Sequence, residues 1–234
     1  MFEVLFENND LLVINKPAGL VCHPTKGDEY SSLISRVRLY LGAEAPCHLV
    51  NRLDRETSGV TLVAKSSQAA GELGKLWEKR VVQKEYLAIV HGTLREPHGE
   101  IALPLGKDVF SEIAVKDRVR LDGTPARTEY RVERHFHRDT DNFTLVRLIL
   151  HTGRKHQIRI HLAAIGHPVV GDKLYGGDED LYMALVQDRL TNRQRARLIM
   201  ANQALHAESL SFKWRDQDWA FHAKPDQAFA AFIA

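Results

Sequence analysis

Three short runs of this sequence gather groups able to carry a nucleophile or move a proton. The first is His48-Leu49-Val50-Asn51-Arg52-Leu53-Asp54-Arg55-Glu56-Thr57-Ser58-Gly59. An aspartate set between two arginines is expected to be held ionised by their charge, the state an aspartate nucleophile needs. Thr57, Ser58 and Gly59 add small hydrogen-bonding groups and a flexible backbone beside it. Taken alone, an R-x-D-R string also describes an ordinary surface ion-pair loop, which stabilises little.

The second run is His151-Thr152-Gly153-Arg154-Lys155-His156-Gln157-Ile158-Arg159-Ile160-His161. Backbone N–H groups at a helix start favour an anion, and Arg154, Lys155 and His156 would strengthen that preference toward a phosphate. Arg159 falls one turn further on, where it could reach a carboxylate delivered by another strand. Histidines recur here at a spacing of five, but they straddle a strand-to-helix junction and fit neither HExxH nor HxxxH, so no metal is expected. The third run is Lys84-Glu85-Tyr86, whose tyrosine is either a half-buried strand residue or a ring for base stacking with a phenol that shuttles a proton. A fourth segment, Asn15-Lys16-Pro17-Ala18-Gly19-Leu20-Val21, reads as a strand end entering a Pro/Gly turn.

These runs need a scaffold. Apolar alternation predicts strands at Phe2–Glu7, Leu11–Ile14, Val60–Ala64, Glu85–Val90, Thr128–Phe136 and Phe143–His151. Helical spacing predicts Ser32–Leu41 stopped by Gly42, then Ser67–Lys79, then His156–Ile165 ended by Gly166 and Pro168. Strands dominate without regular βαβα alternation, so the expected class is α+β around a mostly antiparallel, mixed sheet with flanking helices. The chain reads as one domain, 1–234, with a helical insertion at about 177–200 and Thr191 as an N-cap inside it. On a helix starting there Arg193 and Arg197 share a face, joined by Arg189 if the helix is unbroken.

Bulk properties bound the function. With 32 Lys and Arg against 30 Asp and Glu, any basic surface must come from local segregation of charge. The first nine residues carry acids and no basic n-region, and no run approaches ~18 apolar residues, so a soluble, cytoplasmic protein is expected with no membrane partner. Two cysteines, Cys22 and Cys47, with no CxxC pair read as free thiols in a reducing compartment. No apolar stripe stands out as surplus to one core, so a monomer is expected.

Together and in this order, the four segments resemble the RluA-type family of RNA pseudouridine synthases, from Leu5 to about Phe212. The resemblance implies that Asp54 is the nucleophile, that Arg159 pairs with it, and that Tyr86 is the active-site tyrosine. Gly171-Asp172-Lys173-Leu174-Tyr175-Gly176 and Ala204-Leu205-His206-Ala207 also resemble segments of that family. Two positions depart from it: Asn51 stands where His is common, and Lys155 where Thr or Ser is common. They bear on how the loop is braced and how a phosphate is held. Many members carry an N-terminal S4 RNA-binding domain, whereas the likeness here implies a single catalytic domain without one.

The implied chemistry is isomerisation of a specific uridine in ribosomal or transfer RNA, with the base flipped out of its stack. Flipping costs a few kcal/mol, of which stacking on Tyr86 would recover about 1–3 kcal/mol. Asp54 breaks the N-glycosidic bond by attack on the sugar or by assisting elimination, and Arg52, Arg55, Arg154, Lys155 and His156 hold RNA. No cofactor is implied, and no P-loop, GxGxxG or zinc pattern occurs. Two other readings fit the same residues: a uridine-directed N-glycosylase, and a non-catalytic RNA-remodelling protein in ribosome assembly. The stretches Leu105–Asp122 and Gly177–Met200, least like the core motifs, are the candidates for target choice.

Overall fold

The computed structural model of the chain describes residues 2–24 and 31–234. In chain order the elements begin with β1 (Glu3–Glu7), β2 (Leu11–Lys16), α1 (Leu33–Leu41), β3 (His48–Leu49), β4 (Ser58–Ala64) and α2 (Ser67–Glu78). Next come β5 (Gln83–His91), β6 (His98–Ile101), β7 (Leu105–Lys107), β8 (Asp117–Val119), β9 (Thr128–Arg138), β10 (Asp141–Leu150) and α3 (Gln157–Ala164). The order closes with α4 (Asp180–Val186), α5 (Asn192–Leu198), β11 (Leu205–Trp214), β12 (Gln217–His222) and α6 (Gln227–Ile233). The class is α+β with mostly antiparallel strand pairing, as the alternation pattern predicts. The chain organises into two compact units, Met1–Glu85 with His206–Ala230 and Tyr86–Leu205 with Ala231–Ala234.

In the first unit the strands run β1-β2-β4-β11, with β3 on β4 and β12 on β11. Period-two alternation sends Leu11 and Val13 of β2 to one face, packed with Ala69 and Leu73 of α2. Leu12 and Ile14 go to the other, against Leu33 and Val37 of α1. A strand buried on both faces reads as an uninterrupted apolar run, which is why Leu11–Ile14 has no polar member. Both helices start where a serine caps them: Ser32 accepts from the Ser35 amide and Ser66 from that of Ala69.

β4 and β11 pair in parallel, with Ser58 opposite His206 and Gly59 opposite Ala207. Gly59 has φ +118, and a Cβ there would lie 2.1 Å from the Ala207 carbonyl oxygen. Only glycine allows this approach, so Gly59 sets the end of the Asp54 loop against β11.

The second unit has the strand order β5-β10-β9-β6 and a separate two-stranded ribbon, β7-β8. α3 is buried nearly all round: Gln157, Arg159 and His161 are as inaccessible as Ile158, Ile160 and Leu162. The sequence pattern finds only its apolar face. Its polar residues are core residues because each is hydrogen-bonded, as buried polar groups must be. The expected helical insertion is two short helices separated at Asp188, which takes φ 51. Thr191 is the N-cap of α5 with a complete capping box, and Arg189 lies outside that helix. Among the described residues, no helix is long and apolar enough to cross a membrane.

Candidate active site

The loop that carries Asp54 leaves β3 and enters β4, and its backbone is pinned on both sides of the aspartate. Before it, the Cys22 thiol donates to the Leu53 carbonyl at 3.3 Å. After it, the Lys16 ammonium donates to the Arg55 carbonyl at 3.1 Å. The Thr57 amide donates to the Asp54 carbonyl at 3.1 Å and closes the turn. Asn51 clamps the loop's entry, accepting from the Leu62 amide at 2.7 Å and donating to the Val60 carbonyl at 3.1 Å. The departure at this position therefore braces the loop directly on β4. Asp54 is half-buried, whereas Arg52 and Arg55 are exposed, and Arg55 donates to the Gly19 carbonyl at 3.3 Å.

Lys16 is the residue the sequence reading passed over as turn punctuation. Its side chain is fully buried and also donates to the carbonyls of Pro17 and Leu20 at 3.0 and 2.9 Å. Burial pushes its ammonium down to about 8, opposed by the Cys22 thiol and by Asp54. A lysine two residues after the apolar run Leu11–Ile14, in phase with Leu12 and Ile14 on the buried face, was the available signal. Three carbonyl acceptors satisfy its three N–H donors, which explains how β2 tolerates it in the core.

Where the loop becomes β4, the Ser58 hydroxyl and His206 Nδ1 lie 2.8 Å apart. His206 Nε2 meets the Ala223 carbonyl at 2.9 Å. Since a carbonyl only accepts, Nε2 carries the proton and Nδ1 accepts from Ser58. Burial lowers the affinity of His206 for a second proton, so this relay is neutral.

Tyr86 lies in β5 as a half-buried residue. Arg159, in the first turn of α3, forks onto Asp172 with Nε–Oδ2 at 2.6 Å and Nη2–Oδ1 at 2.8 Å. Asp172 also accepts from the amides of Leu174 and Tyr175 at 2.8 and 3.0 Å. Burial would push its carboxyl up, but the Arg159 charge and these bonds outweigh it and hold it below the ordinary carboxylate range. The Arg159 guanidinium stands over the Tyr175 ring, 5.0 Å from its centroid. Tyr175 shares a hydrogen bond with His156 Nδ1 at 2.9 Å and accepts from the Asp117 amide at 3.2 Å. Burial raises the Tyr175 phenol, so it stays protonated. The Gly171–Gly176 segment thus supplies a carboxylate fork and an aromatic plate for Arg159, roles its sequence alone did not assign.

The start of α3 is built by Gln157. Its Oε1 accepts from Thr152 Oγ1 at 2.7 Å and from the Arg154 amide at 3.0 Å. Its Nε2 donates to the Arg127 carbonyl and to Thr128 Oγ1. His156, in the left-handed region at φ 56, caps the helix without a side-chain bond to it. Lys155 pairs with Asp117 at 3.0 Å, and Arg154 donates to the Pro125 carbonyl at 3.3 Å. The three regularly spaced histidines go to separate partners: His151 to Glu129, His156 to Tyr175, His161 to Thr128 and Leu103. Among the described residues, no three potential ligands converge on a metal position.

The profile of the RNA pseudouridylate synthase family matches residues 10–164, a span that includes Asp54, Tyr86 and Arg159. "Ribosomal large subunit pseudouridine synthase D" of Vibrio cholerae is 36% identical, covering 99% of this chain and 70% of its own length. The "Uncharacterized RNA pseudouridine synthase YhcT" of Bacillus subtilis is 38% identical over 76% of this chain and 59% of its own length. The chain spans about half to three-fifths of several such relatives. Among solved structures, "Human RNA Pseudouridylate Synthase Domain Containing 1" superposes with a TM-score of 0.75 at 27% identity, over 97% of this chain and 84% of that one. The chain belongs to the RNA pseudouridylate synthase family and, within it, to the RluA type.

Proposed function

We propose that the chain isomerises a uridine in RNA to pseudouridine, with ribosomal RNA of the large subunit as the first substrate class to test. The family match over residues 10–164 carries this reading, and the names of several relatives supply the substrate class. The reaction is internally balanced: the C1′–N1 bond breaks, uracil turns, C1′–C5 forms, and the proton lost from C5 is matched by one gained at N1. No group is transferred and no electron is lost, so the chemistry needs positioning and acid–base groups alone.

In this reading Asp54 acts on the glycosidic bond of a flipped uridine. The main-chain tethers through Cys22, Lys16 and Asn51 support a nucleophile held to a fixed path. Arg159, locked by Asp172 and Tyr175, is the cation that orients the aspartate, and Tyr86 stacks on the uracil or carries one proton. Arg52, Arg55, Arg154, Lys155 and His156 meet the RNA backbone or take the flipped base's place. The folded state is expected in the cytoplasm, acting as a monomer without metal or other cofactor.

The test is tritium release from RNA labelled at uridine C5, on large-subunit rRNA transcripts and on bulk tRNA. Release by the wild type and none by Asp54→Asn, with equal thermal stability of the two, is the expected result. Turnover retained in Asp54→Asn removes Asp54 as nucleophile. Free uracil among the products converts the reading to an N-glycosylase.

A further inference from the structure

The β7–β8 ribbon ends in a tip, residues 108–116, that is tied by hydrogen bonds and ion pairs yet holds an aromatic ring in solvent. Phe110 is 84% exposed and Val109 64%. Such exposure often marks an unstructured loop, but here several backbone amides of the tip are hydrogen-bonded. The Asp108 amide donates to the Lys116 carbonyl and the Lys116 amide to that of Ile113. The Phe110 amide donates to Asp108 Oδ1 at 3.2 Å, and the Ile113 amide to Ser111 Oγ at 3.1 Å. Ile113, at 4% exposure, anchors the tip inward.

Ionic contacts fix the tip further. The Lys116 ammonium binds Glu179 and lies 3.6 Å from Asp108, and Ser111 donates to Glu179 at 2.7 Å. The two stretches expected to choose the target, the ribbon and the start of α4, are therefore clasped together. At its base the ribbon is bound to the Arg159 support: Leu105 and Val119 pack with Ile160 and Tyr175, and Asp117 pairs with Lys155. Arg118 stands over the Phe110 ring at 5.4 Å from its centroid, and its nearest carboxylate, Asp108 at 3.8 Å, is shared with Lys116.

A ring held out in solvent, with a half-exposed guanidinium over it, has the chemistry of a base-stacking platform in an anionic ligand's path. We propose that Phe110 is such a platform for an unpaired base of the RNA substrate near the target uridine, with Arg118 as its cationic backing. This rests on the RNA-modifying reading above. Stacking accepts any base face, so Phe110 contributes to affinity and to the requirement for unpaired sequence rather than to the chemical step.

The experiment compares Phe110→Ala, Phe110→Leu and Phe110→Trp with wild type in tritium release from C5-labelled large-subunit rRNA transcripts, and in filter binding of the same RNA. Ala and Leu are expected to raise KM and Kd about tenfold, equivalent to about 1.4 kcal/mol, with kcat within about twofold. Trp is expected to restore both constants and show fluorescence quenching on RNA addition. Because the side chain is exposed, the variants should melt with the wild type. Unchanged KM and Kd in the Ala and Leu variants overturn the proposal, as does a fall in kcat alone, or a change confined to self-association in sedimentation. Wild-type enzyme that binds RNA but releases no tritium instead sinks the catalytic reading, while Kd of the Phe110 variants still decides the platform.

Discussion

The Asp54 loop and the Arg159 helix start are held by opposite means. Around Asp54 the tethers end on main-chain carbonyls: Leu53 on the Cys22 thiol, Arg55 on Lys16, Asp54 itself on the Thr57 amide. Around Arg159 they end on side chains: the Asp172 fork, the Tyr175 ring, and the Gln157 amide that builds the helix start. A main-chain tether constrains the path of the loop, and Asn51, standing where His is common, does so through its own side-chain amide on the Val60 carbonyl and the Leu62 amide. A side-chain network fixes one guanidinium in one plane, but each member depends on the charge and shape of the next. The two regions should therefore respond differently to loss of a single partner.

The largest expected effect is at Asp172. In Asp172→Ala the Arg159 guanidinium, 7% exposed in the native fold, keeps its charge and loses its fork. Breaking a buried pair by removing one member costs about 3–5 kcal/mol. Urea denaturation should show that loss, and tritium release should fall steeply because Arg159 is no longer held in plane. A variant within 1 kcal/mol of wild type would mean that the fork is dispensable and that Arg159 is fixed by its ring contact.

A smaller effect is expected at Lys16. Lys16→Met keeps the length of the side chain but leaves the Pro17, Leu20 and Arg55 carbonyls without their donor. Leaving buried acceptors unsatisfied costs about 1–3 kcal/mol, partly offset because a buried ammonium no longer has to be desolvated. The same urea experiment should place it between wild type and Asp172→Ala. The reverse order would show that the main-chain tethers, not the ionic fork, carry more of the stability.

How much of this was legible in the sequence divides along the same line. Elements whose burial follows period-two or helical spacing were readable: β2, β4, β5, β9 and β10 form within two residues of their predicted ends. β11 and β12 were not anticipated. The first half of β11 buries His206 and Glu208 where the pattern asks for apolar residues. The turn to β12 uses Arg215 and Asp216 at φ 49 and 59, without the Asn or Gly that ordinarily mark a hairpin. At the site, the motif residues could be named, but not what supports them. A lysine serving three carbonyls and an aspartate forking an arginine thirteen residues away depend on tertiary neighbours, which local pattern does not record.

The smallest effect is one of pH, and it tests whether both regions carry buried neutral histidines as structural joints. His206, between Ser58 and Ala223, belongs to the first unit; His161, between Thr128 and Leu103, belongs to the second. Burial lowers both, so each binds its second proton less readily folded than unfolded. As pH falls below about 6.5 the unfolded chain takes up protons first, and stability must drop. The slope is at most about 1.4 kcal/mol per pH unit for each histidine. Carboxylates, which titrate near 4 when unfolded, act in a separate and more acidic window. Urea midpoints for wild type should therefore fall between pH 7.5 and 5.5, roughly the window set by the histidine value, and His161→Gln and His206→Gln should each show a shallower fall from their own starting stability. If only one does, only that region rests on a neutral histidine; if neither does, both imidazoles accept their protons without disturbing the joints they make.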